Sequence, residues 1–142
     1  MKYDEYWDTL VNRVYQQNEI LTGVEETFYR FACIYGENMV DGIQSYFERR
    51  IQEYPKDLAA LQEHGFSKIA ETLQEAKTIL FGQVEITSEL VDQIFDEMYE
   101  DESLSDRIDQ ELSSTYDALI FELEVLYDFN IKLGVENELF TE

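Results

Sequence analysis

Apolar residues recur every three or four positions along most of this chain, and no segment alternates apolar with polar at strand period. A three-to-four spacing lays one apolar stripe along a helix. Tyr3, Trp7, Leu10, Val11 and Val14 mark the inner side of a first helix over 3–20. Phe28, Phe31, Ala32 and Tyr35 mark a second that ends near Asn38, and Thr22 with Glu25 fits a capping box at its start. Asp41-Gly42 predicts a turn, and Ile43, Tyr46, Phe47 and Ile51 a short helix after it. Tyr54-Pro55 opens a helix through Leu58, Ala59 and Leu61 that stops at Gly65. Ile69, Ala70, Leu73, Ala76, Ile79 and Leu80 face the core from another, capped by Ser67 and ended by Gly82. The connector GQVEIT leaves room for one short extended piece.

Beyond it the apolar period continues among many acids. Leu90, Val91, Ile94, Phe95, Met98 and Tyr99 predict a helix capped by Ser88. Asp101 to Ser105 reads as a polar loop. Leu104, Ile108, Leu112, Tyr116, Leu119, Leu123, Leu126 and Ile131 then belong to a long helix from about Asp106 to Lys132. Ser113-Ser114-Thr115 is a candidate break, because hydroxyl side chains compete for backbone hydrogen bonds. Phe121 and Val125 fall outside the stripe. Packing under a neighbouring helix would account for them, and so would a role as apolar anchors of a protein interface. Residues 133–142 read as a tail, frayed over its last eight residues unless Leu139 and Phe140 pin it. The expectation is one all-α domain over 1–142, a bundle of six or seven helices.

Hydrophobic content of 44% and aromatic content of 14% support a packed core despite a net charge of −22. The charge is lopsided. Residues 1–84 carry 14 acids and 8 bases, whereas residues 85–142 carry 18 acids and 2 bases. Such a charge repels nucleic acid and anionic membrane and favours a basic protein surface as partner.

Most catalytic and metal chemistry lacks the residues it needs. One histidine, His64, and one cysteine, Cys33, cannot make the usual zinc set. Cys33 lies among Phe31, Ala32 and Ile34, as a buried inert thiol would. His64 suits the last turn of its helix. No Glu-x-x-His pair, glycine-rich phosphate loop or G-x-S-x-G elbow occurs. The run DEMYEDESLSDRIDQE lacks the central glycine and D-x-D-x-D spacing of a calcium loop. The chain therefore reads as a non-enzyme without metal or cofactor. Arg49-Arg50, the only basic pair, reads as counter-charge to Glu48 and Glu53. The start, MKYDEYWDTL, has no basic segment leading into an apolar run, and no run approaches the ~20 residues of a membrane span. A cytoplasmic location is expected.

The acids themselves are ordered. Glu89, Asp92, Asp96 and Glu100 follow at spacings of 3, 4 and 4. At ~100° per residue they stack along one helix edge, opposite Val91, Ile94 and Met98. Asp106, Asp109, Asp117, Glu124 and Asp128 fall within roughly 100° of one another on the next helix. Neighbours at i, i+3/i+4 lie about 5–6 Å apart at Cβ, the order of the ~3.4 Å axial step between phosphates of one DNA strand. Ordinary solvated faces mix both signs; these do not.

Glu37-Asn38-Met39-Val40-Asp41-Gly42-Ile43-Gln44-Ser45-Tyr46-Phe47 resembles the E-x-x-N-G-G-F-x-Q-F-F stretch of the bacterial DNA-mimic protein family. PKDLAALQEHGFSKIAETL, from Pro55 to Leu73, resembles that family's next two helices, and Phe95 to Lys132 its closing acidic helices. Asp41, Ile43 and Ser45 stand where the family has glycine, an aromatic and glutamine. The resemblance implies an all-helical fold and, for some relatives, an acidic surface that occupies the DNA site of a basic protein. The leading expectation is therefore a protein that binds a basic DNA-binding protein and competes with DNA. An immunity-type inhibitor of a basic toxin such as a nuclease, and a helical domain with merely solvated acids, are the alternatives. A homodimer is compatible with either.

Overall fold

Ile108, Leu112, Thr115, Leu119, Leu123, Leu126 and Asn130 are buried at spacings of three and four, so they lie along one side of one helix. That helix, Glu102–Glu136, is the spine of the molecule in this computed structural model, which describes residues 1–40 and 42–142. The Asp41 half of the Asp41-Gly42 turn therefore lies outside the described residues. Among the described residues seven helices follow one another: α1 Tyr3–Tyr15, α2 Gly23–Val40, α3 Gly42–Arg50, α4 Tyr54–Glu63, α5 Ser67–Phe81, α6 Ser88–Glu100 and α7 Glu102–Glu136. Among the described residues there is no strand, only a bridge between Lys2 and Thr141, and the GQVEIT connector holds no extended pair. The fold is all-α.

The spine packs along α2 and α5. Its inner residues join Phe31, Ile34, Ile43, Tyr46, Phe47, Leu61, Ile69, Leu73 and Ala76 in one core. Polar stitches reinforce the α2 contact: Asn130 Nδ2 donates to Phe28 O at 3.1 Å, and the Tyr116 hydroxyl to Asn38 O at 3.3 Å. No helix among the described residues is long and apolar enough to cross a membrane.

Several local expectations are corrected. The polar run Asp101–Ser105 is not a loop. It reduces to Asp101, whose extended backbone ends α6 while its Oδ1 accepts from Leu104 N at 3.1 Å to start α7. One aspartate serves both helix ends, so the chain turns within a single residue. Nor do Ser113, Ser114 and Thr115 break α7. Thr115 takes a place in the buried stripe, and burial on both sides carries the helix through residues of modest propensity. The first helix stops at Tyr15, five residues early, where Asn18 takes a left-handed φ of 52° and Gln17 N donates to Asn12 O. Glu25 forms no capping box, because its carboxylate accepts from Tyr6 and Arg13 instead. Thr87, not Ser88, caps α6 by accepting from Leu90 N, and Phe66, not Ser67, precedes α5.

The tail is helical as far as Glu136, and its end is packed rather than frayed. Phe140 sits with Tyr3, Tyr6 and Phe28 at ring distances of 5.3, 5.7 and 5.4 Å, closing a second cluster under α1. Cys33 is half-buried rather than sealed in, and desolvation raises its thiol pKa.

Candidate partner-binding face

Three arginines of the first half, Arg13, Arg30 and Arg50, are drawn inward by its own acids. Asp57, fully buried on α4, accepts from Arg50 Nε and Nη2 at 2.9 and 2.7 Å, from Arg30 Nη1 at 2.7 Å and from the Tyr46 hydroxyl at 2.7 Å. Four charge-assisted bonds satisfy a group that could not otherwise be buried. Arg30 also holds Glu26 and Glu53, so α2, α3 and α4 share one ionic knot. Desolvation opposes the charge on Arg30, yet its hydrogen bonds to Asp57, Glu26 and Glu53 leave its pKa raised. Arg13 binds Glu25 and Glu19 and ties α1 to α2. Arg49 reaches Glu37 at 3.5 Å. The basic pair thus bonds to Asp57 and Glu37, and Arg50 also lends its charge to Glu53 as its sequence neighbours suggest.

Little compensation reaches the second half. All nine carboxylates of the two rows are exposed: Glu89, Asp92, Asp96 and Glu100 on α6, and Asp106, Asp109, Asp117, Glu124 and Asp128 on α7. Among the described residues no ion pair involves any of the nine; Lys68 lies 3.9 Å from a tenth acid, Glu122. Each row is on one unbroken helix, so its spacing is set by helical rise.

The surroundings of the nine differ. Asp92 borders a hollow between α6 and the end of α3 that also exposes Glu48, Arg49 and Gln52. Asp109 leans toward the start of α3, where its Oδ1 accepts from Gln44 Nε2 at 2.7 Å. Residues from both rows therefore flank α3, and Glu48 adds an acid there that neither row contained. Asp128 lies at the far end of α7, in a hollow shared with Lys2 and Lys132. Two cations therefore stand near it.

Two aromatics are placed against expectation. Tyr99 sits outside the core stripe at 93% exposure, three residues after Asp96. Phe121, at 71%, and Val125, at 44%, are covered by no neighbouring helix. Phe121 lies four residues after Asp117 and three before Glu124, on the same outer ridge. Its position outside the apolar period of α7 was the available signal. Among the described residues no three His, Cys, Asp or Glu side chains converge as a metal site would require.

A family model described as DMP19-like protein matches residues 19–132, from the middle of the first interhelical connector to the last turns of α7. No curated protein and no solved structure matches the chain significantly.

Proposed function

Because the chain belongs to the DMP19-like protein family, a family of DNA mimics, we propose that it is a non-enzymatic acidic protein that binds a basic DNA-binding protein and competes there with DNA. One observation supports this most directly. Nine exposed carboxylates stand in two rows on successive helices, while four arginines that could neutralise them are engaged by acids of the first half. Like charges at i, i+4 cost a helix about 0.2–0.5 kcal/mol per pair. The packed inner faces of α6 and α7 hold the rows in spite of that repulsion. A cationic groove built for phosphates would meet rigid anions on α6 at steps of three and four residues, more widely spaced ones on α7, and no bases.

The test is competition. A basic DNA-binding protein retained on the immobilised chain at low salt should release a labelled duplex when the free chain is added. Changing Asp92, Asp96, Asp109 and Asp117 together to Lys should abolish retention and leave the helical circular dichroism unchanged. Full retention by that variant would remove the acidic rows from the function. Tight binding to a single toxin without displacement of DNA would support the immunity-type alternative instead.

A further inference from the structure

The outer ridge of α7 carries an apolar patch inside its acidic row. Phe121 and Val125 are one helical turn apart, so their Cβ atoms lie about 5–6 Å from each other. Exposed Ala118 extends the patch, and exposed Asp117, Glu124 and Asp128 run beside it. The two flanks of the ridge are occupied. Tyr127 packs on Tyr35 of α2 with ring centroids 4.9 Å apart, and Glu122 faces Lys68 of α5. Phe121 therefore points away from both grooves that could have covered it. Helix propensity does not explain the choice either, since Phe and Val are both mediocre helix formers.

We propose that Phe121 and Val125 are an apolar anchor for a cationic protein whose own apolar recess is rimmed by arginine or lysine. This inference rests on the reading of the acidic rows as a partner-binding face. Charge complementarity selects the occupant. A second copy would crowd its own Asp117, Glu124 and Asp128 around the same apolar centre, with Lys132 the only cation on that strip. A nucleic acid or an anionic lipid surface is repelled by the same acids. The carboxylates attract any cationic surface, and salt weakens that attraction. The apolar contact is not screened and requires a matching recess, so it discriminates among cationic partners. DNA offers no equivalent of it, and the anchor therefore supplies a specificity that charge mimicry lacks.

Two synthetic basic helical peptides of equal charge test this directly, one with two leucines a turn apart and the other with glutamines at those positions. At about 150 mM salt the wild-type chain should bind the leucine peptide at least about tenfold more tightly, the scale of burying one large apolar side chain. Phe121→Ser with Val125→Ser should erase that preference and leave binding of the glutamine peptide unchanged. Asp117→Asn with Glu124→Gln should weaken both peptides and keep the preference. Equal binding of the two peptides by the wild type, or a preference that survives Phe121→Ser with Val125→Ser, overturns the anchor while leaving the acidic face intact. Binding of neither peptide overturns both. A wild-type dimer that becomes monomeric on Phe121→Ser with Val125→Ser assigns the patch to a second copy and overturns the proposal, with sedimentation as the readout.

Discussion

The fully buried Asp57 carboxylate holds the Arg50 guanidinium at two nitrogens, at 2.7 and 2.9 Å. Breaking a buried pair from one side leaves the other charge without compensation, at a cost of roughly 3–5 kcal/mol. Asp57→Ala strands Arg50 and leaves Arg30 with Glu26 and Glu53 alone. It should lower the unfolding free energy read from urea titration by that scale, whereas Glu48→Ala on the exposed side of α3 should change it by less than about 0.5 kcal/mol. Equal, small effects for the two variants would mean that the knot does not hold α2, α3 and α4 together.

Gly134 gives Phe140 its place. A β-carbon on Gly134 would overlap the Phe140 ring, although Gly134 itself has ordinary helical geometry. Alanine in a helix interior usually gains up to about 1 kcal/mol over glycine. Here overpacking should outweigh that gain by about 1–3 kcal/mol, so Gly134→Ala should destabilise. In the Phe140→Ala background the same change should become neutral or favourable. A stabilised Gly134→Ala single variant would contradict the packing of the C-terminal segment.

Acid should loosen α1. Hydrogen bonds from Arg13, assisted by one from Tyr6, hold the Glu25 carboxyl down to about 2 from an ordinary 4.5. A carboxylate with a depressed folded value stabilises in its charged form. That contribution is complete above the ordinary value and is lost as pH falls through the folded one. Thermal midpoints should therefore drop between about pH 5 and about pH 2 more steeply for the wild type than for Glu25→Gln. Parallel curves would show that Glu25 contributes nothing in this window.

The nine acids should not contribute equally to partner binding. Asp128 shares its hollow with Lys2 and Lys132, whereas Asp117 is flanked by Phe121 and Glu124. Asp117→Asn should reduce both affinity and the dependence of affinity on salt, and Asp128→Asn should reduce them less. A larger loss for Asp128→Asn in a salt series would reverse the ranking and move the binding face toward the chain termini.

Much of the fold was legible because its cause is local and periodic. Six of the seven helices begin within a few residues of where stripe and turn chemistry place them, and Gly65 and Gly82 end their helices with the positive φ that glycine supplies. The start of α7 was not legible. Asp101 and Ser105 have the composition of a loop, and only the cap on Leu104 with the core beneath Leu104 and Ile108 turns that run into helix. The exposure of the nine acids was equally readable from period. That of Phe121 was not, because an off-stripe apolar residue is covered or bare according to which helices arrive beside it.

Composition and period were enough to make this chain a helical domain with its acids turned outward, since burial of an apolar stripe and solvation of charge act on each residue where it stands. Which acids keep their charge uncompensated is a different matter. Arg30 and Arg50 are 27 and 7 positions from Asp57 in the chain, and Gln44 is 65 from Asp109, yet each pair is in hydrogen-bond contact. Ion pairing depends on distance through space, and only the packing of α2, α3 and α4 could decide that those arginines serve the core and leave α6 and α7 bare.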